Sequence, residues 1–556
     1  MNNSGDNSLL KNILFGVVVL TGMLAVGYVL IRPESLPQPQ SFAPASEARL
    51  SIEQVAAKVD AAIEEELADL RTPLTTTPYR ADDLTVARRL TLSLAGTLPS
   101  VEEIRQLEQI DPGHRTHWFV SRLLEDRRTS YHLAERFARA YVGVDEGPFL
   151  VYRRERFVEW LNDQIFHNRP YDDLAREILT GDGLWTDDPS VNFYTAVIDE
   201  ETGKPDPIRL AGRTSRAFLG MRIDCLQCHD DFLGTMELGS DEDPRDGEQV
   251  DFHMLAAFFS DVQNSLAGIK TGVESDYEYE LLGDDEATII EASPPLYEDL
   301  MGEEPDLRSR LANWVTHEDN RPFVRATINR VWAIMFNKPL VEPVDNISIV
   351  GPWPEAMEVL CDDFIDSDFD LHRLIRVIAA TEAFHRSSEA PFDVTDKHTE
   401  YLAVFPLTRL RPDQVAGAIV QSTSLSTVDS TSNIVTRLTS FGQQNDFVTR
   451  YGDAGEDEFA DRGETVTQRL LMFNGDMIRE RLDNGLNSPA RTAGLSPDMK
   501  SAVEVTFLAT LSRAPDQIEL QHFMRQYEGL GRSERSTKIV DLYWGLINST
   551  EFGWNR

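Results

Sequence analysis

Cysteine is scarce in this chain, with three residues in 556, which excludes a small secreted scaffold held together by disulfides. Basic residues are also in short supply, because 53 Lys and Arg stand against 93 Asp and Glu and give a formal net charge of −40. Nucleic-acid binding needs a basic face, so the composition argues against a nucleic-acid partner. The acidic excess is typical of a solvated surface.

Sequence signatures of several common enzyme classes are missing as well. The chain contains no G-x-S-x-G, Walker or H-E-x-x-H motif, which removes the usual hydrolase, nucleotidase and zinc-protease patterns. No catalytic carboxylate pair can be selected from 93 acidic residues, so the catalytic residues are unknown and enzymatic activity stays open. The length exceeds what one hydrophobic core supports and predicts two or three domains.

A long apolar run lies near the N-terminus, after a short segment at 1–12. Residues 13–31 carry no charge and are just long enough to cross a bilayer as a helix. They predict one N-terminal transmembrane anchor. A cleaved signal peptide is the alternative, although its apolar region is normally shorter. Residues 32–48 are rich in Pro and Ser and predict an extended tether.

The remaining chain predicts a mostly α fold with two helical domains behind the anchor. Apolar residues at helical spacing indicate the first domain over 49–265 and the second over 306–556. Ser100 followed by Glu103 predicts a capping box at a helix start. The acidic stretch 266–305 lacks a helical period and predicts a linker or a small irregular or β-containing insertion. Its Tyr-x-Tyr and Thr-Ile-Ile sequences predict short strands.

Two of the three cysteines lie in one short motif, Cys225-Leu226-Gln227-Cys228-His229. Its C-x-x-C-H spacing is the one that attaches c-type haem. Two thioethers need two nearby thiols, and the next residue provides an imidazole for the iron. We therefore predict a haem c-like centre at this motif. Bacteria attach c-type haem outside the cytoplasmic membrane, so we expect a single-pass cell-membrane protein with its body on the periplasmic or extracytoplasmic side.

The sequence also offers candidates for the second iron ligand. His253 is the first choice because it lies in the same predicted domain, beside the apolar residues LAAFF. Met254 and Met236 are the alternatives. His253 can equally be interpreted as a core residue that binds no iron.

Three other interpretations of the motif stay open. A zinc site would draw its ligands from Cys225, Cys228, His229, His253, Asp230 and Asp231. A redox dithiol would use the same C-x-x-C, although no thioredoxin-like βαβ pattern surrounds it. A structural disulfide is the third possibility. The remaining cysteine, Cys361, lies in an apolar-periodic run and is interpreted as a small buried hydrophobic residue.

Several stretches resemble one known family. Residues 91–104, 168–183, 211–232 (AGRTSRAFLGMRIDCLQCHDDF) and 251–259 (DFHMLAAFF) resemble segments of a planctomycete-type, cytochrome-like domain of the PSCyt type. Residues 321–346, 366–388, 464–478 and 542–552 resemble a planctomycete-specific domain of the PSD type. The chain is thus identified as a member of the planctomycete-type proteins of unknown function that join these two domains.

Two departures from the family qualify what the resemblance implies. The family usually reads CHDH where this chain has Asp231 in place of the second histidine, so any metal role of that histidine is lost or altered here. Many relatives carry a separate cytochrome c domain. This chain has a single C-x-x-C-H, so an electron-relay partner must be another protein.

The function we expect is electron transfer through a haem c-like centre. The alternative is an extracellular protein that processes or binds a polymer such as carbohydrate, with a structural zinc or disulfide at the same motif. An assembly protein without chemistry is a third hypothesis.

Overall fold

The computed structural model describes residues 50–68, 78–144, 152–199, 201–271, 275–424, 426–429, 432, 434–452, 459, 463, 465–483 and 496–556. The predicted N-terminal segment, anchor and tether, at 1–12, 13–31 and 32–48, lie outside these ranges.

The transmembrane helix in the predicted fold class requires a correction. Within the described ranges no helix is long and apolar enough to cross a bilayer, and the segment that carried the prediction, 13–31, is not among them. Several of the described helices are amphipathic, with one side buried and the other solvated. Helix Ile52–Ala68, for example, buries Val55 and Val59 but also carries acidic residues. The described part is therefore mostly helical, without a spanning helix.

The helices before the acidic stretch, in chain order, are α1 Ile52–Ala68, α2 Asp83–Ala95, α3 Val101–Glu108, α4 Arg115–Leu124, α5 Arg127–Val142, α6 Arg154–Phe166, α7 Tyr171–Thr180, α8 Asn192–Thr195, α9 Pro207–Thr214 and α10 Gln249–Ala257. Short 3-10 turns cover Pro112–His114, Pro189–Val191, Asp224–Gln227 and Glu298–Leu300. A π-helical turn covers Ser215–Leu219.

The helices after the acidic stretch are α11 Leu307–Val315, α12 Arg321–Phe336, α13 Glu355–Asp366, α14 Leu371–Ala380, α15 Glu382–His385, α16 Asp396–Glu400, α17 Pro412–Ser422, α18 Ile434–Tyr451, α19 Val466–Asn474, α20 Asp476–Asp483, α21 Met499–Leu511, α22 Gln517–Tyr527 and α23 Arg532–Ile547.

The strands of the described part form small antiparallel pairs. They are β1 Glu237–Gly239 with β2 Pro244–Asp246, β3 Val262–Ser265 with β4 Gly268–Thr271, β5 Glu278–Tyr279 with β6 Thr288–Ile289, and β7 Thr408–Arg409 with β8 Trp554–Asn555. In the acidic stretch, Tyr279 of the Tyr-x-Tyr sequence pairs with Thr288 of the Thr-Ile-Ile sequence.

The larger hydrophobic core combines helices from both sides of the acidic stretch. Helix α1 packs against α13 and α14, and α12 packs against the π-helical turn that precedes the C-x-x-C-H motif. Trp314 and Trp332 are fully buried in this core. The domain boundaries at 266–305 stay predictions, but residues on either side of that stretch share one core.

A second core lies among the C-terminal helices α17 to α23. It includes Leu92 of α2 and Ile104 of α3, so the N-terminal half contributes to this core as well. Helix α3 begins as the sequence predicts: the Ser100 hydroxyl accepts the Glu103 N–H at 3.0 Å, and the Glu103 carboxylate accepts the Ser100 N–H at 2.8 Å. The predicted capping box is therefore confirmed.

Candidate functional site

The C-x-x-C-H motif follows an unusual stretch of backbone. Helix α9 ends in the π-helical turn Ser215–Leu219, and Gly220 then adopts a left-handed conformation with φ 62°. A Cβ atom at Gly220 would lie 3.0 Å from the Cβ of Ala326, so this close approach to α12 suits glycine. Arg216 donates from Nε to the Asp224 carboxylate at 2.7 Å, across the bend. Isolated π-helical turns frequently occur at functional sites.

The two motif thiols are accessible and unlinked. Cys225 and Cys228 are free and exposed, and the Cys228 N–H donates to the Cys225 carbonyl at 3.3 Å in a tight turn. Leu226 between them is fully buried and anchors the turn. Partial desolvation, followed by the nearby Asp231 charge, raises the pKa of the Cys225 thiol. This thiol is therefore protonated at neutral pH rather than activated as a thiolate.

His229 is exposed, and one of its nitrogens is already engaged. Its Nδ1 lies 2.7 Å from the carbonyl oxygen of Asp230. Because a carbonyl only accepts, we assign the proton to Nδ1, which leaves Nε2 with its lone pair. Metal-binding histidines commonly donate their other ring N–H in this way. The ring also lies nearly parallel to that of Phe232, with 6.0 Å between the ring centroids.

His253 is fully buried and contacts protein through both ring nitrogens. Its Nε2 lies 3.1 Å from the carbonyl oxygen of Gln227, and its Nδ1 lies 2.9 Å from the hydroxyl of Tyr277. The Gln227 carbonyl requires a proton on Nε2, so the Tyr277 hydroxyl donates to Nδ1. The ring stacks on Tyr279 at 3.6 Å between centroids. Burial lowers the pKa of His253, although the Gln227 contact opposes this.

A second residue of α10, Gln249, also holds the motif, although no sequence pattern singles it out. The Gln249 side chain donates to the Gln227 carbonyl at 3.1 Å, and its backbone N–H donates to the Asp230 carboxylate at 2.8 Å. Its side-chain oxygen accepts the Leu282 N–H at 2.7 Å. The start of α10 therefore fixes the motif to the acidic stretch. An isolated glutamine carries no motif that identifies such a role.

Asp231 organises the loop after the motif. Its carboxylate accepts the backbone N–H groups of Leu233, Thr235 and Met236 at 3.1, 2.6 and 2.5 Å. Its own N–H donates to the Gly247 carbonyl at 2.9 Å. These contacts make Asp231 a structural residue of the loop and bring hairpin β1–β2 beside the motif.

The predicted site residues are thus partly gathered at one place. The motif residues are continuous in the chain, and His253 packs against the motif backbone. Met236 and Met254 are half-buried, just before β1 and on α10. In the part of the chain that the structure describes, no group of three or more His, Cys, Asp or Glu side chains is arranged to hold a metal ion. The haem and zinc assignments stay predictions.

Comparisons with known families match both halves of this architecture. Residues 58–264 match PSCyt2, a protein of unknown function (DUF1549), and residues 307–436 match PSD1, a protein of unknown function (DUF1553). The chain therefore belongs to the planctomycete-type proteins that join these two domains of unknown function. The predicted resemblance is confirmed. No curated protein and no solved structure matches the chain.

Proposed function

We propose that this chain is an extracytoplasmic electron-transfer protein in which Cys225 and Cys228 hold a c-type haem and His229 binds its iron. The observation that carries the proposal is the state of these three side chains. Both thiols are free and exposed, and His229 uses Nδ1 for the Asp230 carbonyl, which leaves Nε2 for a metal. These are the donor types that c-type haem requires, so the residues fit the group.

The attachment would need no oxidant or reductant. Each thiol would add across one vinyl group of haem, so that sulfur bonds to one carbon, hydrogen goes to the other, and the double bond becomes single. A bound haem supplies reversible one-electron chemistry. The residues of this chain would bind the group, orient it and hold its surroundings rigid.

Rigidity would come from the residues behind the motif. His253 and Gln249 both donate to the Gln227 carbonyl, and such supporting contacts preserve the geometry of a site. We propose His253 as a positioning residue, because service as the second iron ligand would require it to break its contact with Gln227 or with Tyr277. Met236 and Met254 stay candidates for the second ligand.

The proposal requires export of the body of the protein, since bacterial c-type haem is attached outside the cytoplasmic membrane. It also requires a separate redox protein as partner, because the chain contains a single C-x-x-C-H. Neither the reaction that this partner would serve nor a substrate follows from the motif.

A haem assay tests the proposal directly. The chain is exported in a host that matures c-type cytochromes and examined by a pyridine haemochrome spectrum and a haem-stained denaturing gel. Covalent haem is expected in the unmodified protein and in Cys361→Ala, a control at the buried third cysteine. Cys225→Ala and Cys228→Ala should each lose a thioether, and the double variant should lose covalent haem altogether. A folded, exported protein without haem contradicts the proposal.

The polymer-binding alternative has no comparable support among the described residues, and we do not propose it. Its zinc version would need a ligand cluster, and the described ranges contain none. Its disulfide version would join Cys225 to Cys228. Zinc analysis and thiol titration of a haem-free protein would separate these two versions.

A further inference from the structure

We infer that the surface around the C-x-x-C-H motif docks a small, positively charged redox protein. The inference rests on the proposed function and names the chemistry of the partner that would exchange electrons with the site. The docking surface consists of the apolar pair Phe232 and Leu233 and the acidic hairpin β1–β2, which lie beside the motif residues that would hold the haem.

The apolar pair is held outward by a fixed backbone. The side chains of Phe232 and Leu233 are 76% and 85% exposed, yet the Asp231 carboxylate binds three backbone N–H groups of the same loop. Phe232 also stacks beside His229. Two large apolar side chains presented together by an ordered loop are typical of a contact surface, whereas scattered single ones are not.

The charge around this pair has one sign. Between residues 224 and 251 the chain has ten Asp and Glu but a single basic residue, Arg245. Ten of 28 residues is more than a third, whereas 93 of 556 for the whole chain is about a sixth. Arg245 is itself paired with Asp251. The excess negative charge is therefore a local feature as well as a general one.

The hairpin carries much of this charge to the edge of the motif. Gly247, directly after β2, donates to the Met236 carbonyl and accepts the Asp231 N–H, both at 2.9 Å. Asp241, Glu242, Asp243 and Asp246 of the hairpin are exposed. An apolar centre beside an acidic rim fits a partner with an apolar centre and a basic rim. Charge complementarity of this kind accelerates encounter and suits short-lived electron-transfer complexes.

The same charges disfavour other macromolecules. A polyanion such as nucleic acid would be repelled by this surface, and so would an anionic lipid headgroup. A basic protein without a redox centre would meet the charge requirement, and the experiment below distinguishes it.

Binding is measured by titration calorimetry of the haem-loaded chain with a cationic, mitochondrial-type cytochrome c as the probe, at about 20 mM and about 200 mM salt. Two variants test the surface. One neutralises three exposed hairpin residues, Glu242→Gln, Asp243→Asn and Asp246→Asn. The other changes the apolar pair, Phe232→Ser and Leu233→Ser. The matched control neutralises three exposed acidic residues elsewhere, Glu65→Gln, Asp393→Asn and Glu528→Gln.

The hairpin variant is expected to weaken binding roughly tenfold at low salt and to reduce the salt dependence. The apolar variant should weaken binding at both salt concentrations, while the control stays close to the unmodified protein. Stopped-flow electron transfer to the probe should slow in the same order. A redox-inactive basic protein of similar size, such as lysozyme, should bind more weakly than the probe. Its affinity should be the same for the apolar variant as for the unmodified chain.

Three results overturn the inference. Equal weakening by the hairpin and control variants would mean general charge attraction, and unchanged binding in the apolar variant would remove the docking centre. Tight, patch-dependent binding of lysozyme would point to a basic ligand without redox chemistry. If haem is attached, these results contradict only the docking inference and not the proposed function. A chain that carries no haem overturns the proposed function first and this inference with it.

Discussion

His253 Nε2 lies 3.1 Å from the carbonyl oxygen of Gln227 and joins helix α10 to the centre of the C-x-x-C-H turn. The ring is buried, neutral and bonded on its other nitrogen by Tyr277. A buried donor and acceptor that satisfy one another contribute little net energy, but leaving one of them unpaired is costly. A single substitution at His253 therefore tests how much these buried contacts stabilise the site.

His253→Phe should destabilise the protein by about 1–3 kcal/mol, because the Tyr277 hydroxyl would lose its acceptor and the Gln227 carbonyl one of its two donors. The measurement is the free energy of unfolding from urea denaturation. His114→Phe, at an exposed position, is the matched control and should change stability by less than about 0.5 kcal/mol. Equal stabilities for the two variants would show that the His253 contacts are unimportant.

Local features of the fold and of the site could be predicted from the sequence. The spacing of Cys225 and Cys228 identified the motif, and the pair Ser100 and Glu103 identified the start of a helix. Each of these signals depends on residues three or fewer positions apart, where chain geometry decides the contact. Such contacts do not depend on how the remaining chain packs.

Contacts between distant segments could not be predicted in the same way. His253 finds its partners 26 residues before it, at Gln227, and 24 residues after it, at Tyr277. A buried histidine can bind iron, zinc or a carbonyl, and the choice depends on which backbone group faces it. The sequence similarly makes Asp231 a candidate zinc ligand. The loop, however, folds so that three backbone N–H groups donate to its carboxylate.

Gly220 should be intolerant of a side chain. Gly220→Ala would place a residue with φ 62° in the left-handed region and a Cβ atom 3.0 Å from Ala326 Cβ. The expected loss is about 1–2 kcal/mol from the backbone conformation alone. Gly545→Ala, in helix α23, is the control, because a Cβ atom there would meet nothing within 4 Å. This variant should stabilise the protein by about 0.5–1 kcal/mol. Thermal unfolding of both variants should show a loss of stability for Gly220→Ala and a gain for Gly545→Ala.

His385 should make stability depend on pH. Burial first, and then the charge of Arg80, lowers its pKa to about 4 from 6.5. The folded state therefore binds a proton less readily than the unfolded state. The contribution of His385 is fully present above about pH 6.5 and is lost as the pH falls toward 4, by roughly 3 kcal/mol at most.

His385→Gln keeps an amide donor for the Ala379 carbonyl, which His385 Nε2 contacts at 3.2 Å, but removes the titrating group. Urea denaturation at pH 7 and pH 4.5 should give a smaller pH-dependent loss for this variant than for the unmodified chain. The loss will not vanish, because His372 is also buried and its pKa is also lowered to about 4. Identical losses in variant and unmodified protein would exclude His385 as a contributor.

Arg89 should be among the most sensitive positions of the C-terminal packing. Its guanidinium is fully buried and donates to three carbonyls, those of Phe384, Arg386 and Arg556, at 2.6–2.8 Å. It also lies 3.6 Å above the ring of Phe405. Arg89→Met keeps the aliphatic stem but leaves these carbonyls without their donor, which should cost about 3 kcal/mol or more.

Arg105→Met is the matched control for Arg89→Met, since Arg105 forms an exposed pair with Glu108 three residues away. Such pairs contribute at most about 0.5 kcal/mol, so the control should unfold at nearly the same urea concentration as the unmodified chain. Limited proteolysis separates the local from the global effect: in Arg89→Met, cleavage near Arg556 should precede cleavage of the larger core. Resistance at the C-terminus equal to that of Arg105→Met would mean that other contacts, such as Arg88 with Phe552 at 2.9 Å, hold this end without Arg89.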